Sequence, residues 1–106
     1  MKDLTKFQLT PVNNLRGGNG VVYVSENFRI GDAVFSVMNI PSGSSIGLHD
    51  HPLEDGITEV YQVLEGDAAR INGIYTKVSV CRPGESHNLI NDTPGGITVL
   101  SIKSKK

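Results

Sequence analysis

His49 and His51 stand one residue apart in GSSIGLHDHPLEDGITEVYQVLEG (residues 43–66), and Glu59 follows in the same stretch. Residues i and i+2 of an extended segment face one side, so a strand through this stretch aims both imidazoles into one cavity. Two converging imidazoles and a carboxylate from the next strand read as the start of a transition-metal site. The third and last histidine, His87, lies in PGESHNLIN (83–91), a second turn-rich stretch. Each residue has a plain alternative. A lone His-x-His pair is common on surfaces, and a glutamate opening a strand is usually solvated. The joint pattern, with every histidine spent on two stretches, points to a metal. Two carboxylates compete for the remaining position: Glu59, and Glu54 in the turn beside Asp55 and Gly56.

The elements that must position these groups are short strands. Twelve glycines and five prolines divide the chain, and no window keeps a helical apolar period over three turns. Strands are expected at 21–25 (VVYVS), 33–40 (AVFSVMNI), through the His49–His51 stretch, at 57–64 (ITEVYQVL), 68–71, 75–81 (YTKVSVC), 87–90 and 97–102. Glu65-Gly66-Asp67 reads as a hairpin, and Asn72-Gly73 as the strongest hairpin signal in the chain. Residues 1–14, with weak alternation around Phe7 and Leu9, read as an edge strand or arm. Roughly eight strands with regular turns predict an all-β, antiparallel sandwich or barrel in a single domain, 1–106.

The two histidine stretches have an ordered spacing. In the first, Gly43 precedes His49 by five intervening residues, and Glu59 precedes Gly66 by six; in the second, Pro83-Gly84 precedes His87 by two, and Asn91 follows after three. This arrangement resembles the paired signature motifs of the cupin superfamily, small jelly-roll β-barrels built as a double-stranded β-helix. The resemblance runs from about Gly43 to Asn91. It implies metal ligation by His49, His51, Glu59 and His87. Two features depart from the family's pattern. Seven residues separate His51 from Glu59, a longer gap than usual, which reads as an insertion in PLEDG; Lys77 stands where a glycine is customary. Glu59 keeps its spacing to Gly66 and Glu54 does not, so Glu59 is preferred.

Three imidazoles and one carboxylate leave a divalent ion net positive, with positions open for water or substrate if it is six-coordinate. The set suits Mn, Fe, Co, Ni, Cu or Zn, and the ion would act as a Lewis acid or hold substrate beside dioxygen. Tyr61 shares the strand parity of Glu59 and is the candidate proton donor. Arg70 and Arg82 are candidates for orienting an anion. Cys81 reads as a buried structural cysteine. The expected function is a metal-dependent enzyme, isomerase-like or dioxygenase-like, acting on a small oxygenated molecule. The alternative is a non-catalytic module binding or sensing a small, sugar-like molecule, with a structural or vestigial metal.

Composition narrows the partners. Ten basic against eleven acidic residues give a net charge of −1, and three Phe, three Tyr and no Trp are too few for base-stacking platforms, so no nucleic acid is expected. No stretch approaches the ~18 apolar residues of a membrane span, and the charged N-terminus lacks a signal-peptide pattern. A single cysteine fits a reducing, cytoplasmic setting. The resemblance further implies a homodimer, with Leu4, Phe7 and Leu9 expected at its interface.

Overall fold

The computed structural model describes residues 8–105, so the expectations for Leu4 and Phe7 lie outside the described residues. Eleven strands are present among the described residues: β1 (Thr10–Asn13), β2 (Val21–Val24), β3 (Phe28–Ile30), β4 (Ala33–Ile40), β5 (Ser45–Asp50), β6 (Ile57–Glu65), β7 (Ala69–Ile71), β8 (Ile74–Thr76), β9 (Val78–Cys81), β10 (Ser86–Ile90) and β11 (Ile97–Lys105). Two 3-10 turns, Leu15–Gly17 and Leu53–Asp55, interrupt them. The larger sheet runs β1-β2-β4-β11-β6-β9, with β3 added on β4; the smaller runs β5-β10-β7-β8. Every pairing is antiparallel. This is the jelly-roll, double-stranded β-helix architecture expected from the sequence.

Three expectations need correction. Residues 75–81 do not form one strand: β8 belongs to the smaller sheet and β9 to the larger, with the switch at Lys77, whose carbonyl accepts from Val63 N at 2.8 Å. Alternating β-branched residues on both sides of Lys77 hide a change of sheet, because each half is a good strand. Glu65-Gly66-Asp67 is not a hairpin either. It carries the chain from β6 in one sheet to β7 in the other, through Gly66 at φ 103°. The strand count rises from eight to eleven: β1 is an edge strand within 1–14, as one of the two readings of that stretch had it, while β3 and the split at Lys77 are too short to show a period. Asn72-Gly73 is the tight turn it promised to be, with φ of 52° and 81° joining β7 to β8.

The inner face of the larger sheet is graded along its strands. Val63, Ile97, Val99, Met38 and Ile40 join Ile46, Leu89, Ala69 and Ile71 from the facing sheet in one apolar cluster. Toward the other end the inward positions become Ser36, Glu59, Tyr61, Ser101 and Lys103. Asn91 fixes the closed end. Fully buried, it donates to the carbonyls of Ile40 (2.7 Å) and Gly95 (2.9 Å) and accepts from Thr93 N (3.0 Å). That is the backbone-bridging role its type suggests.

Candidate metal centre

His49 sits near the end of β5 and His51 just beyond it; His87 lies on β10 and Glu59 on β6. The structure brings these four side chains together across the two sheets. One ligand atom from each lies within 4.8 Å of the others. A six-coordinate ion with bonds of about 2.1 Å places neighbouring donors roughly 3 Å apart and opposite donors roughly 4.2 Å apart. Small side-chain adjustments therefore suffice. Glu54, the rival carboxylate, is exposed in the Leu53–Asp55 turn and is not in the group.

Hydrogen bonds orient each ring. His49 Nδ1 lies 2.8 Å from the Gly47 carbonyl, which can only accept, so Nδ1 carries the proton and Nε2 keeps its lone pair. His51 Nε2 and His87 Nε2 both lie 3.0 Å from Glu59 Oε1. Ser101 Oγ donates to Glu59 Oε2 at 2.7 Å. His87 Nδ1, buried, has no hydrogen-bond partner among the described residues. The His49 and His87 rings are 4.2 Å apart, and each lies 5.6 Å from the His51 ring.

These contacts fix the charges. Burial would raise the Glu59 carboxyl, but hydrogen bonds from His87, Ser101 and His51 outweigh it and hold the pKa at about 2. Burial pulls His87 down, yet the Cys81 thiol and the Glu59 carboxylate overcome it and bring the pKa to about 9. His49 is lowered, chiefly by burial, and so stays neutral. Burial and the nearby Glu59 charge push the Tyr61 phenol up, so it keeps its proton. Tyr61 is 2% exposed, and its ring centroid is 5.6 Å from that of His87.

A cavity of about 180 Å³ opens beside the group, lined by Arg16, His49, Glu59, Tyr61, Ser101 and Lys103 among others. The proposed anion-orienting arginines are not among its lining. Arg70 is held instead by Asp92 at 3.1 Å, and Arg82 is exposed. Arg16 is the arginine that lines the cavity. Its turn, read from the sequence only as a glycine cluster, packs backbone-to-backbone on β5: a Cβ at Gly47 would overlap the Arg16 carbonyl, and one at Gly18 the Ser45 carbonyl. Asn19 N donates to Ser45 Oγ at 2.8 Å, closing the same joint. Arg16 itself has φ 54°, a left-handed conformation that a non-glycine residue adopts only where its surroundings impose it.

No family model matches the chain. A Thermotoga maritima protein named as an oxalate-binding protein is 34% identical over 108 aligned positions, covering 90% of this chain and 87% of that one. A crystal structure of a predicted oxalate decarboxylase, also from Thermotoga maritima, superposes with a TM-score of 0.81 at 27% identity, covering 100% and 99% of the two chains. The cupin domain of Cnp3 from Schizosaccharomyces pombe gives a TM-score of 0.76 at 12% identity, covering 100% of this chain and 74% of that one. The chain belongs to the cupin superfamily. In this cupin the donor set fits a divalent metal: three imidazoles able to offer a ring nitrogen and one carboxylate held anionic. Among the described residues no helix is long and apolar enough to cross a membrane.

Proposed function

We propose that this cupin holds a divalent transition-metal ion on His49, His51, Glu59 and His87 and binds a small carboxylate anion such as oxalate beside it. The carrying observation is the convergence of those four donors within 4.8 Å, beside a cavity that His49, Glu59 and Arg16 line. A bound ion would supply Lewis acidity toward carboxylate oxygens. The chain's own residues do the rest. Arg16 offers a planar, permanently charged fork to a carboxylate. Tyr61 keeps its proton and offers a hydrogen bond from the cavity wall. Ile46, Met38 and Leu15 close the apolar side against water. The relative named as an oxalate-binding protein supports this ligand class.

The test is metal content of untagged protein, compared with a His49→Ala, His51→Ala double variant, followed by oxalate calorimetry. Near-stoichiometric metal lost in the variant, with oxalate heat only in the loaded protein, is the expected outcome. Metal that persists in the double variant overturns the ligand set.

Turnover is a second reading, favoured by the likeness to the predicted oxalate decarboxylase. Tyr61 would then deliver a proton to the carbon from which carbon dioxide departs, as the C–C bond of oxalate breaks and formate is left. Isomerase-like or dioxygenase-like chemistry at the same ions and residues belongs to this reading too. Formate appearing from oxalate, in the wild type and not in Tyr61→Phe, supports decarboxylation.

A homodimer in the cytoplasm completes the proposal. Val78 and Val80 on edge strand β9 are 53% and 54% exposed, an apolar strip suited to a second copy, and half-buried Leu9 lies at the start of the described chain. Free, buried Cys81 suits a reducing compartment. Sedimentation of a monomer at micromolar concentration would remove the dimer from this reading.

A further inference from the structure

A second cavity, of about 340 Å³, lies against the first and shares Asn27 and Lys103 with it. Its walls carry three cations, Arg29, Lys103 and Lys105, against one acid, Asp32. For a chain of net charge −1 this is a local reversal of sign. Among the described residues none of the three cations forms an ion pair.

Strand register explains the placement. Arg29 on β3 lies opposite Val34 on β4; Val34 lies opposite Lys103 on β11; Lys103 lies opposite Glu59 on β6. Residues directly opposite across an antiparallel sheet share a face. The row therefore runs Arg29, Val34, Lys103, Glu59 on the face that holds the donor cluster. Neighbouring strands are about 4.8 Å apart, so Lys103 is one strand, and Arg29 about 14 Å, from the carboxylate. Lys105 is two residues beyond Lys103 on the same face, roughly 7 Å toward the opening. Lys103 is half-buried between the cavities, and Arg29 and Lys105 reach into solvent beyond it.

We propose that Arg29, Lys103 and Lys105 form a subsite for a second anionic group, so that the ligand is an acid with a metal-chelating head and a carboxylate or phosphate tail. This rests on the metal reading above and extends its ligand class past the two-carbon dianion. Oxalate fills the head position alone and leaves the three cations solvated. A tail several bonds long, matching the roughly 7 Å from Lys103 to Lys105, reaches them. Asp32, exposed at the turn joining β3 to β4, is the one acid of the lining, so the three cations keep the subsite net positive.

Two matched probes test this: glycerate, which has the chelating hydroxy acid alone, and 3-phosphoglycerate, which adds the phosphate. Calorimetry on metal-loaded protein should give 3-phosphoglycerate an advantage of about tenfold or more, falling toward unity in an Arg29→Gln, Lys105→Gln double variant. An advantage near unity in the wild type, or one retained in the variant, overturns the subsite. Inorganic phosphate titrated into metal-free, ¹⁵N-labelled protein separates the two readings. Amide shifts at Arg29, Lys103 and Lys105 are expected there whether or not the metal reading holds. Their absence, with metal loading intact, removes the subsite and leaves the metal centre standing.

Discussion

Ile46 and His49 both point into the interior of the barrel, although three residues separate them on one strand. Simple alternation would put them on opposite faces. The register shows why they agree: His87 lies opposite His49, but Leu89 lies opposite Ile46, so β5 advances three residues while β10 advances two. The extra residue is a β-bulge at Gly47 and Leu48, and it turns Leu48 outward, where it is 67% exposed. Ile46 is thus free for the apolar core and His49 for the donor cluster. The Gly47 carbonyl at the bulge accepts the His49 Nδ1 proton.

Gly47→Ala should test that joint. A Cβ there meets the Arg16 backbone, which cannot swing aside as a side chain can. A loss of about 2–4 kcal/mol in urea unfolding is expected, together with weaker metal binding, since the bulge sets the His49 ring. Unchanged unfolding would mean that the Arg16 turn does not rest on β5 in solution.

Glu59 and Glu54 should separate cleanly on substitution. Glu59→Gln removes the only carboxylate among the four grouped donors and should lower metal affinity by 100-fold or more, on the order of 3 kcal/mol. Glu54→Gln, at an exposed turn, should leave metal content as it was. Competition with a chelator of known affinity reads both.

Stability of the metal-free protein should pass through a plateau in mildly acidic solution. Glu59, lowered from 4.5 to about 2, contributes stability that is present above about pH 4.5 and is lost as pH falls toward 2. His87, raised from 6.5 to about 9, contributes stability that is complete below pH 6.5 and is lost as pH rises through 9. The two shifts share the His87–Glu59 contact, with Cys81 acting further on His87 and Ser101 and His51 on Glu59, and they are not added. A metal must displace the His87 proton, so loading between pH 6.5 and 9 should release protons and tighten as pH rises. Calorimetry in buffers of different ionisation heat counts them; heats independent of buffer would contradict the paired His87–Glu59 state.

Arg16→Gly should set stability against binding. Glycine accepts φ 54° without the cost an arginine bears, about 1–2 kcal/mol, but gives back about 0.4–1 kcal/mol through a freer unfolded chain. A net gain near 0.5 kcal/mol in chemical unfolding is expected. Oxalate affinity of the loaded protein should fall about tenfold. Loss of stability instead would show that the guanidinium is a structural strut.

Much of the site is legible because its spacings are local. His49, His51 and His87 announce themselves by type, and the cupin-like spacing from Glu59 to Gly66 favours Glu59 over Glu54. Arg16, Ser101 and Lys103 are harder. Arg16 belongs to a glycine-rich turn whose meaning depends on where Gly18 and Gly47 meet, a contact between distant segments. Ser101 and Lys103 look like ordinary members of an alternating strand until the register sets them opposite Tyr61 and Glu59. The Lys77 sheet switch and the Gly66 crossover fail for a related reason. Turn residues specify a change of direction, and only tertiary pairing says which sheet receives the chain.

The grading of the inner face also has an evolutionary side. On β4, β6 and β11 the residues that hold the barrel together (Ile40, Val63, Ile97, Val99) are separate from those that line the cavity alone (Ser36, Ser101, Lys103), with Met38 and Tyr61 belonging to both at the boundary. Each strand is foundation at one end and interface at the other. Substitutions at the interface end can change what the barrel accepts while its foldedness stays nearly constant, so such a scaffold can diverge in specificity through single steps, each of them viable.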